Sequence, residues 1–305
     1  MTLRVLQSSA TGRNPQLKNR PRVSGETNEA WISRMGAEQA FDDNDAQTLI
    51  VLLGGADPLS FRLRVAQSHV RSDLTPSSWS HVLILAKLSS PLRDSPTYEV
   101  SLSPVEGFGT FGFPMYTNGI QEEKLAPYLN TARFPNIALI SVPVPSARLL
   151  KKSKEDKSTA TPETQDNTQG TIERLKQQRT TIDVPQLILR WLSYCWGVGV
   201  PSSPLADGFG LPSAAVIENA FAAAGFDLTP GLESRASCPE AIWQAARWWH
   251  EYYEQNTGKP MRGAYTSEHN LVPVTAEARQ DEPDKPKSRR AATTGRAKST
   301  KRRKA

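Results

Sequence analysis

A chain of 305 residues, 38% of them hydrophobic, can bury a substantial core in one or two domains. No segment approaches the roughly 20 consecutive apolar residues of a membrane helix. The two cysteines, Cys195 and Cys238, are too few for a disulfide framework or a cysteine zinc site. The formal charge of +6 is unevenly placed: Lys285 to Ala305 holds 10 Lys or Arg and no acid, which leaves 27 basic against 31 acidic residues, a net −4, elsewhere. The body therefore lacks the clustered Lys and Arg with which a folded groove tracks a phosphate backbone. The cysteine usage fits a reducing, cytoplasmic setting. The N-terminus has no apolar run of the secretory kind, while the lack of any acid before Glu26 leaves a transit peptide open.

Residues 1–45 are polar and weakly patterned and read as mostly disordered, with Trp31 and Phe41 able to dock on the body. The run TLIVLLGG, Thr48 to Gly55, predicts a buried strand ending in a glycine turn. Pro58 opens a helix with Leu59, Leu63 and Ala66 on one face. WSHVLILAKL, from Trp79 to Leu88, and then TYEVSLSP predict two further strands. Glycine and proline crowd residues 105–119 into a loop, Lys124 to Asn130 forms a short helix or turn, and NIALISVPV, Asn136 to Val144, is another core strand.

Residues 151–179 contain almost no large apolar side chain, so burial there cannot offset the entropy of ordering. They predict a solvated insert with helical character confined to Ile172–Gln178. Three helices follow. One starts at Asp183 and Pro185 and stops at Gly197, one spans Pro212 to Gly225, and one begins at Ser237. Ser237 and Glu240 have capping-box spacing, and Ile242, Ala245, Ala246, Trp249 and Tyr253 form a buried stripe that leaves Trp248 and Tyr252 outside. Order is expected to fade near Pro273. Strands first and helices second predict an α+β fold with a small antiparallel sheet. The domain would span 46–273, with the insert inside it and a basic tail from 274 to 305.

Three features can carry chemistry. Ser80-His81-Val82 opens an apolar strand, Tyr98-Glu99-Val100 lies in the next one, and Pro212-Ser213-Ala214 starts a helix followed by AAAGFDLTPG. A histidine at a strand start can act as a general base, a carboxylate on the adjacent strand can orient its far nitrogen, and a nucleophile at a helix N-terminus gains from the helix dipole.

In this order the three motifs resemble the circularly permuted, NlpC-type papain-like hydrolases of the YiiX-like group. That family places its histidine on a strand of SHVGI type, a polar residue, often Glu, on the next strand, and a cysteine last, at the start of a YCSELV-like helix followed by an AGIDLTPG-like segment. WSHVLIL, TYEVSL and LPSAAVIENAFAAAGFDLTPG match these elements, and the resemblance covers roughly Leu49 to Gly231 apart from the insert. It implies a papain-like α+β domain in permuted order, acting on peptidoglycan peptides, other isopeptides or lipid esters. The chain departs from the family at the nucleophile. Pro212 stands at the cysteine position, or Ser213 if the alignment shifts by one.

His81, Glu99 and Ser213 are therefore the candidate catalytic residues, with no cofactor and no metal site expected. Each has a plainer reading: a half-buried histidine on a carbonyl, a solvent-facing strand carboxylate, a helix cap. Cys195 on an amphipathic face reads as core packing. Cys238 falls in a first helical turn, where the dipole lowers a thiol pKa, yet it lies beyond the LTPG segment and also reads as structural. Two functions remain open. One is an amide or ester hydrolase or acyltransferase; the other is an inactive papain-like binding module for a protein partner. Apart from either, the tail is expected to stay extended and to bind nucleic acid without sequence preference.

Overall fold

The computed structural model describes residues 14, 16–39, 41, 47–103, 115–150, 170–179, 181–198, 202–257 and 261–268, the side chains of 250–257 excepted. In chain order the regular elements are β1 (Leu17–Asn19), α1 (Asn28–Gln39), β2 (Thr48–Gly54), α2 (Pro58–Ala66), β3 (His81–Leu85), β4 (Pro96–Glu99), β5 (Gln121–Lys124) and β6 (Asn136–Val142). Then come α3 (Ser146–Leu149), α4 (Thr171–Gln177), α5 (Val184–Trp196), α6 (Pro212–Ala223), α7 (Pro239–Thr257) and β7 (Arg262–Thr266). The fold is α+β.

The strands form one seven-stranded sheet in the order β1-β7-β6-β2-β3-β4-β5. Every residue of β2 and of β6 is buried. Strands covered on both faces read as continuous apolar runs, and this is why TLIVLLG and NIALISV carry no polar alternation. Their side chains divide by parity. Ile50, Leu52, Val82, Ile84, Ala138 and Ile140 face one core with α5, α6 and α7. Leu49, Val51, Leu53, Leu83, Leu85, Ile137 and Leu139 face a second core closed by Trp31, Ile32 and Met35 of α1.

The sheet is not the small antiparallel one expected from the first half of the chain. It is mixed: β1 pairs parallel to β7, and β7 arrives after the last helix to pair antiparallel with β6. Within residues 1–45, read as mostly disordered, the chain forms β1 and α1, and Trp31 and Phe41 are fully buried on the body. Tertiary contacts hold them. Trp31 donates its indole N–H to Arg20 C=O at 2.8 Å, and fully buried Asn28 takes Thr131 Oγ1 on its backbone N–H and donates its amide to Phe134 C=O. Residues 1–13, 104–114, most of the insert and the basic tail lie outside the described residues. Thr171–Gln177 of the insert is helical, as its few apolar residues predict.

Helix ends follow their local chemistry in part. Gly197 closes α5 at φ 69°, a left-handed cap that glycine adopts without Cβ strain. Ser237 does not form its capping box. Its hydroxyl has no partner among the described residues, and Gln67 Oε1 accepts the Glu240 N–H at 2.9 Å. Glu240 turns away to accept from Ser77 Oγ at 2.7 Å and Gln244 Nε2 at 2.6 Å and to pair with Arg71. Trp248, expected outside, is buried at 8% exposure because the helix packs on more than one side.

The chain leads into α6 tightly. Gly210 N–H bonds Arg235 C=O and Leu211 N–H bonds Ser237 C=O. A Cβ on Gly210 would sit 2.2 Å from Ser237 O, so only glycine fits. Beyond α6, the GFDLTPG segment folds back and Thr229 N–H donates to Glu218 Oε1 at 3.0 Å. Glu218 is buried at 1% exposure, and burial raises its pKa from 4.5 to about 8. A carboxyl whose folded pKa is raised destabilises the fold progressively as pH climbs from the unfolded value to the folded one. Glu218→Gln keeps the acceptor and removes the charge. We expect it to raise the melting temperature at pH 8.5 and to leave it nearly unchanged at pH 4, as read by thermal unfolding. An equal shift at both pH values would show that Glu218 titrates normally.

Candidate active site

His81 is the first residue of β3, and its backbone is clamped. It pairs with Leu53 of β2, while the preceding Ser80 donates N–H to Leu53 C=O at 2.8 Å and accepts Gly55 N–H on its hydroxyl at 3.0 Å. Trp79, one residue earlier, is buried edge-on against Trp243 of α7 with centroids 5.2 Å apart. Glu99 ends β4. The β3–β4 register pairs Ile84 with Tyr98 and Leu85 with Thr97. Continued by one pair, it sets Glu99 opposite Leu83, two residues from His81 and on the same face.

From those positions His81 Nε2 and Glu99 Oε2 meet at 2.5 Å. The imidazole is 16% exposed and the carboxylate 2%. A buried polar group needs such a partner. A carboxylate oxygen accepts, so the proton of this contact sits on Nε2, and in the neutral imidazole that tautomer leaves the lone pair on Nδ1. Nδ1 has no partner among the described residues.

The pair opens into a cleft of about 430 Å³ at the ends of β3 and β4. Because it lies at strand ends, both faces of the sheet contribute. Tyr128 and Phe134 come from the α1 side, and Leu63, Leu211, Pro212 and Ser213 from the α6 side. Ser213 is buried at 4% exposure in the first turn of α6. It does not cap the helix: Leu211 holds the cap position and no side chain bonds there. The first helical bond is Ala215 N–H to Leu211 C=O, so the Ser213 and Ala214 amides precede it and are among those a helix start leaves open. No hydrogen bond joins Ser213 to His81 among the described residues. The structure thus brings His81 and Glu99 into contact and sets Ser213 in the same cleft.

Neither cysteine lines this cleft. Cys195 packs in the α6-side core, and burial pushes its thiol up to about 11. Cys238, read as structural, is wholly buried just ahead of α7, and desolvation pushes its thiol up to about 12.

Three lining residues with contacts at the site, Asp57, Tyr128 and Gln121, escaped the sequence reading. Asp57 caps α2 through Ser60 N–H at 2.9 Å and takes the Ser60 hydroxyl at 2.6 Å, which the D-P-x-S spacing does signal. Tyr128 stacks on His81 with centroids 5.7 Å apart and planes 19° from parallel. Gln121, opposite Glu99 on β5, is buried with both amide atoms unpartnered among the described residues. No local pattern marks either of these two. Among the described residues no cluster of His, Cys, Asp and Glu is arranged to hold a metal ion, and no helix is long and apolar enough to cross a membrane. Comparison with known protein families, with curated proteins and with solved structures returned no match to this chain.

The thiol environments are directly testable. A thiol-directed reagent such as 5,5′-dithiobis-(2-nitrobenzoate) at pH 8 should leave the native chain unmodified and titrate two thiols after unfolding in guanidinium. Prompt reaction of one thiol in the native chain would mean that Cys195 or Cys238 is reactive.

Proposed function

We propose that the chain is a papain-like amide or ester hydrolase or acyltransferase in permuted order, with Ser213 as nucleophile, His81 as general base and Glu99 as the group that orients it. The observation that carries this reading is the 2.5 Å His81–Glu99 contact inside a cleft that Ser213 also lines. Ser213 Oγ attacks the substrate carbonyl as its proton passes to His81 Nδ1. Glu99 stabilises the imidazolium, which then protonates the leaving amine or alkoxide. The open Ser213 and Ala214 amides stabilise the tetrahedral oxyanion together with the helix dipole. Water repeats the sequence on the acyl-enzyme, or a second nucleophile takes the acyl group.

An activity-based fluorophosphonate, which phosphonylates a serine only when a base activates it, tests the assignment. The wild-type chain should label, and Ser213→Ala and His81→Ala should lose labelling by about 100-fold or more, the scale at which a general base contributes. Undiminished labelling of Ser213→Ala would place the nucleophile elsewhere.

A second reading is favoured by the lack of a His81–Ser213 hydrogen bond and by Pro212 at the position where the resemblance expects cysteine: a papain-like binding module that retains the base and has no nucleophile. Pro212→Cys separates the two. It sets a thiol at the first position of α6, where the dipole favours the thiolate. The helix tolerates the change because the N–H it restores needs no intrahelical partner. Against a wild-type background of inert thiols, the variant should react with iodoacetamide at pH 6 at least about tenfold faster than a free cysteine, and the Pro212→Cys, His81→Ala double variant should not. A variant thiol that behaves like free cysteine, with or without His81, would remove the papain-like geometry. A wild-type chain blind to the fluorophosphonate beside a reactive Pro212→Cys would select the binding module.

A further inference from the structure

We propose that Tyr128 is the positioning residue of the His81–Glu99 pair, its ring forming a wall that stops the imidazole from swinging off Glu99. The inference rests on the proposed function for its catalytic consequence, but its structural content stands independently of it.

A histidine at a strand end is held only by what its ring touches. Through Nε2 alone the His81 ring could pivot about the Glu99 contact, and Nδ1 would then sample directions away from the cleft. Tyr128 removes that freedom. Its ring lies 19° from parallel with the imidazole at 5.7 Å, an offset-stacked geometry. The stack has a root: Tyr128 meets Phe134 at 5.5 Å, and Phe134 is buried in the α1-side core. The guanidinium of Arg133 lies over the Phe134 ring, 5.1 Å from its centroid. The ring against His81 is thus the end of a packed column rather than a loose rim residue.

The surroundings of the ring agree with this packing: burial foremost, and then the neighbouring Glu99 charge, raise the phenol well above its usual range. The backbone under Tyr128 does not depend on its side chain. Tyr128 N–H bonds Leu125 C=O at 3.0 Å, and Asn28 Nδ2 donates to Tyr128 C=O at 3.3 Å. Substitutions of the ring should leave the turn in place.

Three full-length proteins test the proposal: wild type, Tyr128→Phe and Tyr128→Leu. Phenylalanine keeps the stack without the hydroxyl, and leucine loses both. Two readouts are taken, the ring-nitrogen NMR spectrum of His81 and the fluorophosphonate labelling rate. The wild type should show one neutral tautomer protonated at Nε2. Tyr128→Phe should keep that tautomer and label at about the wild-type rate. Tyr128→Leu should show exchange between tautomers or ring orientations and label at least about tenfold more slowly, the order of loss for a small misplacement of a catalytic group. Thermal unfolding of each variant checks that it is folded. If folded Tyr128→Leu keeps the wild-type His81 spectrum, the proposal is overturned, whatever the labelling shows. If the spectra follow the expected order while no form labels, Tyr128 positions the pair and it is the serine-hydrolase reading that fails.

Discussion

The pairing of β2 with β3 on one side and β6 on the other governs this molecule. Strands β2 and β6 are buried along their whole length, so alternate side chains must serve two separate cores and no polar group can sit between them without a partner. Polar chemistry is displaced to where strands end. His81 begins β3 and Glu99 ends β4, and the two meet at these strand ends. The cleft inherits its two-sided lining from the same cause, because a strand end is the only part of a covered sheet that faces both layers.

The α6 layer follows from a second constraint, the close approach of the chain as it enters the helix. Gly210 and Leu211 bond to the backbone of residues 235–237, and Gly210 C=O takes the Trp191 indole N–H at 2.7 Å. The start of α6 is thereby tied to α5 and to the segment before α7. The return loop is fixed in its turn by Glu218 and Thr229. The position of Ser213 is set by these bonds around the helix start, and among the described residues no bond from its own hydroxyl contributes. A side chain placed in this way can be changed without moving the helix.

Much of this was legible from local pattern. Continuous β-branched and leucine runs mark β2, β3 and β6, and helix punctuation marks α2, α5, α6 and α7, with Gly197 stopping α5 as expected. What was missed lacks a local signal. QEEK of β5 is a polar edge strand, LKN of β1 is three residues long, and RGAYT of β7 contains a glycine and gains its place only by pairing with β6. NEAWISRMGAEQ of α1 has Gly36 inside it and a diffuse apolar face, and its stability comes from Trp31 and Asn28 contacts made over long sequence distances. The meeting of His81 and Glu99 could be anticipated from strand order. Tyr128 could not, because its stack depends on a 3-10 turn after an unrecognised strand. Ser237 shows the converse error: a correct capping spacing is overridden when a distant Gln67 reaches the same N–H.

The chemistry at the start of α6 can be weighed on stability alone. Pro212 at the first helical position suits the fixed φ of proline and removes an amide that would otherwise lack a partner, so the fold gains from proline there and has no need of a nucleophile. The His81–Glu99 pair is different. Taking an ionisable pair out of water returns little net stability, and an apolar pair of similar size would serve the sheet as well. Nothing in the packing of β3 against β4 requires it. The site therefore joins a proline that the helix favours to a His81–Glu99 contact that the sheet does not need, with a buried serine next to that proline. A purely architectural origin accounts for the first and leaves the second, which lines the cleft and stacks on the Tyr128 ring, without an explanation in packing.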